Sequence, residues 1–143
     1  MVVKLFCYAY LIYIVSVIFH ECMHVLCAIL SHIKINSVII GNFIFLHIKK
    51  LAFSPLIFSG YVDVDYENLI GKRKITISIF YLSGIVGNFL LLLFSLLIID
   101  NFLLRLWAVL VNGISIASSA LPIVENNDVF MLFSTLKRKK NIH

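Results

Sequence analysis

Three long apolar stretches, separated by polar segments, dominate the chain and cover residues 5–30, 75–99 and 102–121. About 20 apolar residues in a helix cross a bilayer core about 30 Å thick, so each stretch predicts a transmembrane helix. Only Asp100 and Asn101 separate the second stretch from the third, which predicts an antiparallel helical hairpin. Pro122 is expected to end the third helix, because proline cannot continue an α-helix.

Residues 33–74 have a different pattern. Two β-branched and aromatic runs, 37–40 and 43–48, flank a Gly-Asn pair, an arrangement typical of a hairpin. Residues 61–66 alternate between apolar and acidic, which indicates a half-exposed strand. The sequence therefore predicts a small sheet at the membrane surface between the first and second helices.

Composition narrows the class of protein. Hydrophobic residues make up 62% of the 143 residues and charged residues 13%, whereas an ordinary soluble domain is about 45–50% apolar and about 25% charged. Soluble, disordered, coiled-coil and disulfide-framework proteins are excluded on this ground. The three cysteines lie in apolar sequence and are interpreted as packing residues. We expect one domain spanning residues 1–143, an all-α membrane core of three transmembrane helices with a small β insert.

The basic residues predict an orientation. Ten of the twelve lysines and arginines lie in the 33–74 insert or the C-terminal tail, which three spans put on the same side of the bilayer. The positive-inside rule then predicts a cytoplasmic insert, a cytoplasmic C-terminus and an N-terminus outside. The basic runs are interpreted as membrane flanks, and no nucleic-acid partner is expected, because no basic helix or aromatic interleaving accompanies them.

The first apolar stretch contains His20, Glu21 and His24 in a His-Glu-x-x-His motif. Residues four apart lie on one face of a helix, so both imidazoles can bind one metal ion. Glu21 follows about 100° around the helix, where it can act as the general base on a metal-bound water. Ionisable groups inside a membrane helix cost about 2.5–3.5 kcal/mol each and usually have a function. The alternative is a polar cluster bonded to a neighbouring helix.

Catalytic zinc usually has three protein ligands, so a third is expected here. Asp128 follows the third helix at a depth comparable to that of the histidines, and Glu125 is the neighbouring alternative. Asp100 belongs to the opposite face of the membrane. His32 is interpreted as an interface residue, and Asp63 and Asp65 are interpreted as residues of a solvated strand. His47 is a further candidate.

The chain resembles the site-2 protease family of intramembrane zinc metalloproteases, peptidase family M50, in its minimal three-helix bacterial form. The resemblance covers nearly the whole chain and is carried by three motifs in order: His20 to His24, then Gly84 with Asn88 four residues later, then Pro122 with Asp128. Three departures from the family pattern are Ser119 in place of Asn, a spacing from Pro122 to Asp128 one residue longer than usual, and Val129 in place of Gly.

The resemblance implies one zinc ion per chain, held by His20, His24 and Asp128, with Glu21 as general base. It also implies that Asn88 supports the substrate backbone or the oxyanion. The implied activity is hydrolysis of a peptide bond in or near a transmembrane segment of a membrane-anchored protein or peptide, within the lipid bilayer of a bacterial cell. A regulatory membrane partner is also expected. The alternative is an inactive pseudoprotease or a metal-binding partner of transmembrane segments, motivated by the divergent third motif.

Overall fold

The computed structural model describes residues 2–41, 46–54, 57, 59–122 and 127–142. Five helices lie in the described residues: α1 (Val2–Leu30), α2 (Tyr66–Gly71), α3 (Lys74–Ile98), α4 (Phe102–Ala120) and α5 (Asp128–Ile142). Four strands accompany them: β1 (Ile35–Ile40), β2 (Leu46–Ile48), β3 (Leu51–Phe53) and β4 (Gly60–Val64).

Three of these helices are long and apolar enough to cross a membrane: residues Lys4–Leu30 of α1, α3 and α4. Their bounds agree with the three predicted spans to within a few residues, because apolar length alone fixes such helices. Asn101 caps α4 by accepting a hydrogen bond from the Leu104 amide at 3.1 Å, so α3 and α4 form the predicted hairpin. Large apolar side chains, among them Leu97 and Phe102, cover the outside of the helices.

The four strands form one sheet in the order β2-β3-β1-β4. The predicted hairpin around Gly41 is wrong: β1 lies between β3, which is parallel to it, and β4, which is antiparallel. The hairpin instead joins β2 to β3 through Lys49 and Lys50, and Lys49 has a positive φ of 52°. Alternation along β1 buries Val38 and Ile40, and this pattern fixes which face is buried without fixing which strand lies beside it.

Two elements differ from the sequence expectation at their ends. The strand predicted for residues 61–66 stops at Val64, because Asp65 caps α2 by accepting a hydrogen bond from the Asn68 amide. The C-terminal basic tail is a helix, α5, which the sequence pattern did not predict. One core cluster joins the end of α1 to α2, α3 and α5, and its buried members are Cys27, Ala28, Ile33, Leu69, Ile77, Phe80, Tyr81 and Leu132.

Candidate metal centre

Helix α1 brings two imidazoles together on one face. Nε2 of His20 lies 3.2 Å from Nε2 of His24, and the two ring centroids are 4.9 Å apart. His24 is buried at 4% exposure, and His20 is partly buried. The spacing of four residues produces this arrangement, since one helical turn stacks the two side chains.

The other ring nitrogen of His24 is held by helix α3. Nδ1 of His24 lies 2.8 Å from the carbonyl oxygen of Phe80, to which it donates. The hydroxyl of Ser83 donates to the same carbonyl at 2.7 Å and lies 3.1 Å from Nδ1. A proton on Nδ1 leaves the lone pair of Nε2 free, which is the tautomer that binds a metal through Nε2.

Gly84 allows α3 to approach both imidazoles. A Cβ atom at this position would lie 2.4 Å from Nε2 of His20 and 2.5 Å from Nε2 of His24. Real Cβ atoms do not approach other atoms so closely, so any side chain here would displace the rings. The glycine therefore does more than let two helices pack: it leaves the space in which the two nitrogens converge.

Asn88 lies one turn further along α3, beside His20. Its side chain is 1% exposed, and its Nδ2 atom lies 2.9 Å from Nδ1 of His20. It is not among the described residues that line the cavity next to the histidines. The implied contact of Asn88 with substrate therefore stays a prediction, and its observed neighbour is an imidazole.

Helix α5 brings Asp128 to the histidines from the opposite end of the chain. One carboxylate oxygen, Oδ2, lies 3.2 Å from Nε2 of His20, and the other, Oδ1, lies 3.3 Å from Nε2 of His24. Oδ2 is buried, and no described residue forms a hydrogen bond with it. Burial raises the pKa of the Asp128 carboxyl, but the two imidazoles lower it more, and the pKa lies below that of an ordinary aspartate.

Asn127 places Asp128 in the first turn of α5. Its side-chain oxygen accepts a hydrogen bond from the Phe130 amide at 2.7 Å, and its side-chain nitrogen donates to the carbonyl of Ser118 at 2.8 Å and to that of Leu121. The first two contacts cap α5 and tie it to the end of α4. A carboxylate in the first turn is also favoured by the helix dipole.

The three side chains fit a metal ion. His20, His24 and Asp128 form a group that could hold one, because one ligand atom from each side chain lies within 4.8 Å of the other two. The two Nε2 atoms are 3.2 Å apart, and each lies 3.2 or 3.3 Å from a different oxygen of Asp128. In a tetrahedral zinc site, bonds of about 2.0–2.1 Å separate neighbouring ligand atoms by about 3.3–3.4 Å. The buried Oδ2 atom without a hydrogen-bond partner is a second sign that a cation belongs here.

Glu21 lies on helix α1 beside this group, and its side chain contacts strand β4 at Gly60. Its side chain is 5% exposed, and a Cβ atom on Gly60 would lie 2.7 Å from its Cγ atom. A cavity of about 640 Å³ opens next to it, lined by His20, Glu21, His24, Gly60, Tyr61, Val62, Asp63, Val64, Tyr66, Phe80, Tyr81, Ser119, Asn127, Asp128 and Met131. The arrangement combines a group of potential metal ligands, a buried carboxyl group and a strand at one cavity.

The other candidates lie elsewhere. His32 is exposed in the turn after α1, Asp100 is exposed between α3 and α4, and Asp65 pairs with Lys34 at 3.3 Å. Asp63 is exposed on β4 and lines the cavity without joining the metal-binding group. Glu125 lies outside the described residues, as does the side chain of His47.

Sequence reasoning gave no role at the site to several residues around the centre: Ser16, Gly60, Ser83, Asn112 and Asn127. Ser16 is four residues before His20 and so on its face of α1, and Asn112 is a polar residue in the middle of an apolar span. Both signals were visible in the sequence. Asn127 precedes the aspartate of a predicted motif and has the side chain of a good N-cap, but the helix that it caps was not predicted.

Fold and site together define a multi-pass membrane protein with a group of potential metal ligands, two histidines and an aspartate, inside its helical core. The family model of peptidase family M50 matches residues 8–139, and the chain therefore belongs to this family. The M50 peptidases are zinc metalloproteases, and the match confirms the resemblance that the three motifs indicated. Comparisons with curated proteins and with solved structures give no match.

Proposed function

We propose that this chain is an intramembrane zinc metalloendopeptidase that hydrolyses a peptide bond in or near a transmembrane segment of a membrane-bound substrate. The convergence of His20, His24 and Asp128, with one potential ligand atom from each within 4.8 Å of the others, carries the proposal. Membership of family M50 and the three apolar helices support it.

In this proposal, His20, His24 and Asp128 hold one zinc ion per chain. Zinc, when bound, polarises the scissile carbonyl and lowers the pKa of a coordinated water to near 7. Glu21 accepts a proton from the attacking water and delivers it to the leaving amine. Its position favours this role, because it lines the cavity beside the metal-binding group while its own side chain is almost fully buried.

Strand β4 is the part of the chain best suited to bind an extended substrate. It is an edge strand of the sheet, and all five of its residues line the cavity. A substrate helix must unwind before hydrolysis, because its carbonyl groups are hydrogen-bonded and shielded. A strand added to β4 would satisfy the unwound backbone and hold it beside Glu21.

The decisive experiment replaces Glu21 by Gln and measures both bound zinc and cleavage of membrane-anchored reporters. We expect Glu21→Gln to keep zinc and to lose cleavage, because the amide cannot take up the proton. Glu67→Gln is the matched control, since Glu67 is exposed on α2 and is not among the residues lining the cavity. Cleavage by Glu21→Gln at the wild-type rate would refute this mechanism.

The alternative function is a pseudoprotease or a metal-binding partner of transmembrane segments. Ser119 and Val129, which depart from the family pattern, favour it. Metal analysis of the purified protein tests whether the chain binds zinc. About one zinc per chain, lost in His24→Ala and kept in His32→Asn, would exclude a purely structural helical bundle. His32 is the control because it is exposed and has a positive φ that Asn tolerates. Zinc binding without cleavage of any membrane peptide would favour the alternative.

For the orientation, we propose a bacterial cell membrane with the insert and the C-terminus in the cytoplasm and the N-terminus outside. The distribution of lysine and arginine supports this, with ten of twelve on the insert side. The proposed partners are the substrate, the lipid bilayer and a regulatory membrane protein. Reporter fusions at the C-terminus, active only in the cytoplasm or only outside it, test the orientation directly.

A further inference from the structure

A chain of buried polar side chains leads from His20 to the third membrane helix. Asn88 on α3 contacts His20, Ser16 on α1 contacts Asn88, and Asn112 on α4 contacts Ser16. The three side chains are 1%, 2% and 2% exposed, respectively. Polar groups buried at this depth must satisfy one another, because neither water nor lipid can do so. The hydrogen-bond donors and acceptors of these side chains can therefore be assigned one after another.

The orientation of the Asn112 side-chain amide is fixed by its own helix, α4. Its Nδ2 atom donates to the carbonyl of Ala108 at 2.8 Å, so its Oδ1 atom faces Ser16. The Ser16 hydroxyl donates to that oxygen at 3.0 Å. A serine hydroxyl has one proton and two lone pairs. Once the proton is used on Asn112, Ser16 has only lone pairs to offer to Asn88.

Asn88 must then donate to Ser16. The two ends of a carboxamide have nearly the same size and shape, so Asn88 fits its site in either orientation. The structure places Oδ1 of Asn88 3.4 Å from the Ser16 hydroxyl and Nδ2 2.9 Å from Nδ1 of His20. Turning the amide over exchanges these two atoms, so that its nitrogen faces Ser16 and its oxygen faces Nδ1 of His20. In this orientation the Ser16 hydroxyl donates to Asn112 and accepts from Asn88, and the Asn88 oxygen accepts from His20. The opposite orientation would place two oxygens of Asn88 and Asn112 around a single hydroxyl proton.

The orientation of Asn88 decides where His20 carries its proton. An amide oxygen beside Nδ1 accepts from a protonated Nδ1, which leaves the lone pair of Nε2 directed to His24 and Asp128. An amide nitrogen beside Nδ1 would require the proton on Nε2, where it would block metal binding. His24 obtains the same tautomer from the carbonyl of Phe80. Two different acceptors thus prepare the two imidazoles in the same way.

We propose that Ser16 and Asn112 are positioning residues that orient the Asn88 amide and thereby hold His20 in the tautomer with a proton on Nδ1. Helix α4, which supplies none of the three metal-binding side chains, then controls the metal centre through this relay. The inference rests on the proposed function only for the identity of the metal. The tautomer itself is a property of the metal-free chain.

The first test is nitrogen NMR of the metal-free protein with labelled histidine, in which the His20 signals are assigned by their absence from His20→Asn. We expect the proton of neutral His20 on Nδ1 in the wild type and a mixture of tautomers in Ser16→Ala and Asn112→Leu. A proton on Nε2 in the wild type would overturn the proposal. So would a wild-type tautomer in both variants.

The second test is zinc affinity. Loss of a group that orients a ligand typically costs 10–100-fold in affinity, so we expect a decrease of about this size in Ser16→Ala and in Asn112→Leu. Ser95→Ala is the matched control, because Ser95 is also a buried serine, on α3, but donates only to the carbonyl of Leu91 in its own helix. Affinity equal to wild type in both relay variants would overturn the proposal.

Asn88 variants separate the two amide orientations. If the oxygen faces His20, Asn88→Asp keeps an acceptor for Nδ1 and should retain most of the zinc affinity, whereas Asn88→Ala should lose it. If the nitrogen faces His20, it holds the proton on Nε2, and its removal in Asn88→Asp and in Asn88→Ala should leave the zinc affinity at or above that of the wild type. Equal losses in these two variants would contradict the inference.

These outcomes are distinguishable from failure of the proposed function. Zinc binding without proteolysis would refute the proposed protease and leave the relay standing, whereas unchanged affinity in the relay variants would refute the relay and leave the protease standing. Should Asn112→Leu fail to fold, Ser16→Ala decides alone, since it removes only one hydroxyl group. A wild-type chain without any zinc affinity would leave the NMR test to decide.

Discussion

The helical core around His20 and the sheet of β1 to β4 differ in the burial of their polar side chains. In the core, Ser16, Asn88 and Asn112 are almost fully buried, and each contacts a side chain from a neighbouring helix. In the sheet, polar side chains such as Asp63 are exposed, and the strands are held together by their backbone. A change of a core residue therefore leaves a partner unsatisfied, whereas a change on the sheet can be compensated by water.

The two regions meet at the cavity, where β4 lies against Glu21. The core supplies the proposed metal-binding side chains, and the sheet supplies the proposed substrate strand. We therefore expect substitutions in the core to abolish metal binding, substitutions at the contact to affect catalysis alone, and substitutions in the remainder of the insert to have small effects.

The largest effect is expected for Gly84→Ala. The added methyl group would lie within 2.5 Å of Nε2 of both His20 and His24, so the rings must move apart. Zinc affinity should fall by about 100-fold or more, and cleavage should be lost with it. Gly113→Ala is the control, because nothing lies within 4 Å of a Cβ atom there. It should leave zinc binding unchanged and stabilise α4 by about 0.5–1 kcal/mol. Equal zinc affinity in both variants would contradict the geometry.

Gly60→Ala tests the contact between the two regions. Its methyl group would lie 2.7 Å from Cγ of Glu21, which must then change position, whereas the metal-binding side chains are untouched. We expect zinc to be retained and the rate of cleavage to fall by about 100-fold, the cost of a misplaced catalytic group. Gly71→Ala, at a glycine with free space around it, should behave as wild type. Loss of zinc binding in Gly60→Ala would contradict this expectation, because it would mean that strand β4 also influences the proposed metal ligands.

Asn127→Ala separates the cap of α5 from its role at the metal centre. Loss of an N-cap costs about 1 kcal/mol of stability, and we expect a further decrease of about 10-fold in zinc affinity as Asp128 loses its fixed position. Asn101→Ala removes the equivalent cap of α4, at the end far from the site. Thermal unfolding and zinc titration should show similar destabilisation in both variants but weaker zinc binding only in Asn127→Ala. Weaker zinc binding in both would indicate a general effect of destabilisation.

The smallest effect is expected in the insert, at Asp65. The Asn68 amide and Lys34 lower the pKa of this carboxyl below its ordinary value of 3.8. Asp65→Asn keeps the cap and removes the charge. Because the pKa is lower in the folded state, the stabilisation is present at neutral pH and disappears as the pH falls through the ordinary value towards the folded one.

Thermal unfolding at several pH values tests this expectation. Wild type should be slightly more stable than Asp65→Asn at pH 7, and the two should converge in acid, with equal zinc affinity at pH 7. Asp100→Asn, at an exposed aspartate between α3 and α4, serves as the control. A difference between wild type and Asp65→Asn that grows in acid would contradict the sign of the shift.

The sequence predicted the helices far better than the sheet. Apolar length determines a membrane helix locally, so three spans and a hairpin could be predicted from residues 5–121 without knowledge of any contact. The strands of the insert are short, and their alternation fixes the buried face but not the neighbour. The pairing of β1 with β3, across residues 41–50, therefore could not be predicted. Helix α5 was not predicted, because its basic run was interpreted as a flank of the membrane and not as part of a helix.

The candidate metal centre also has one part that the sequence determined and another that only the tertiary structure decided. The sequence by itself determined that His20, Glu21 and His24 share one turn of a buried helix, since the spacing of residues within a helix is fixed by its period. Only the tertiary structure decided that Gly84 makes room for the imidazoles, that Asn127 directs Asp128 towards them, and that Asn88, Ser16 and Asn112 form one chain. The contacts between these elements join residues 60 to 108 positions apart, and such distances are closed by packing, which no local pattern encodes.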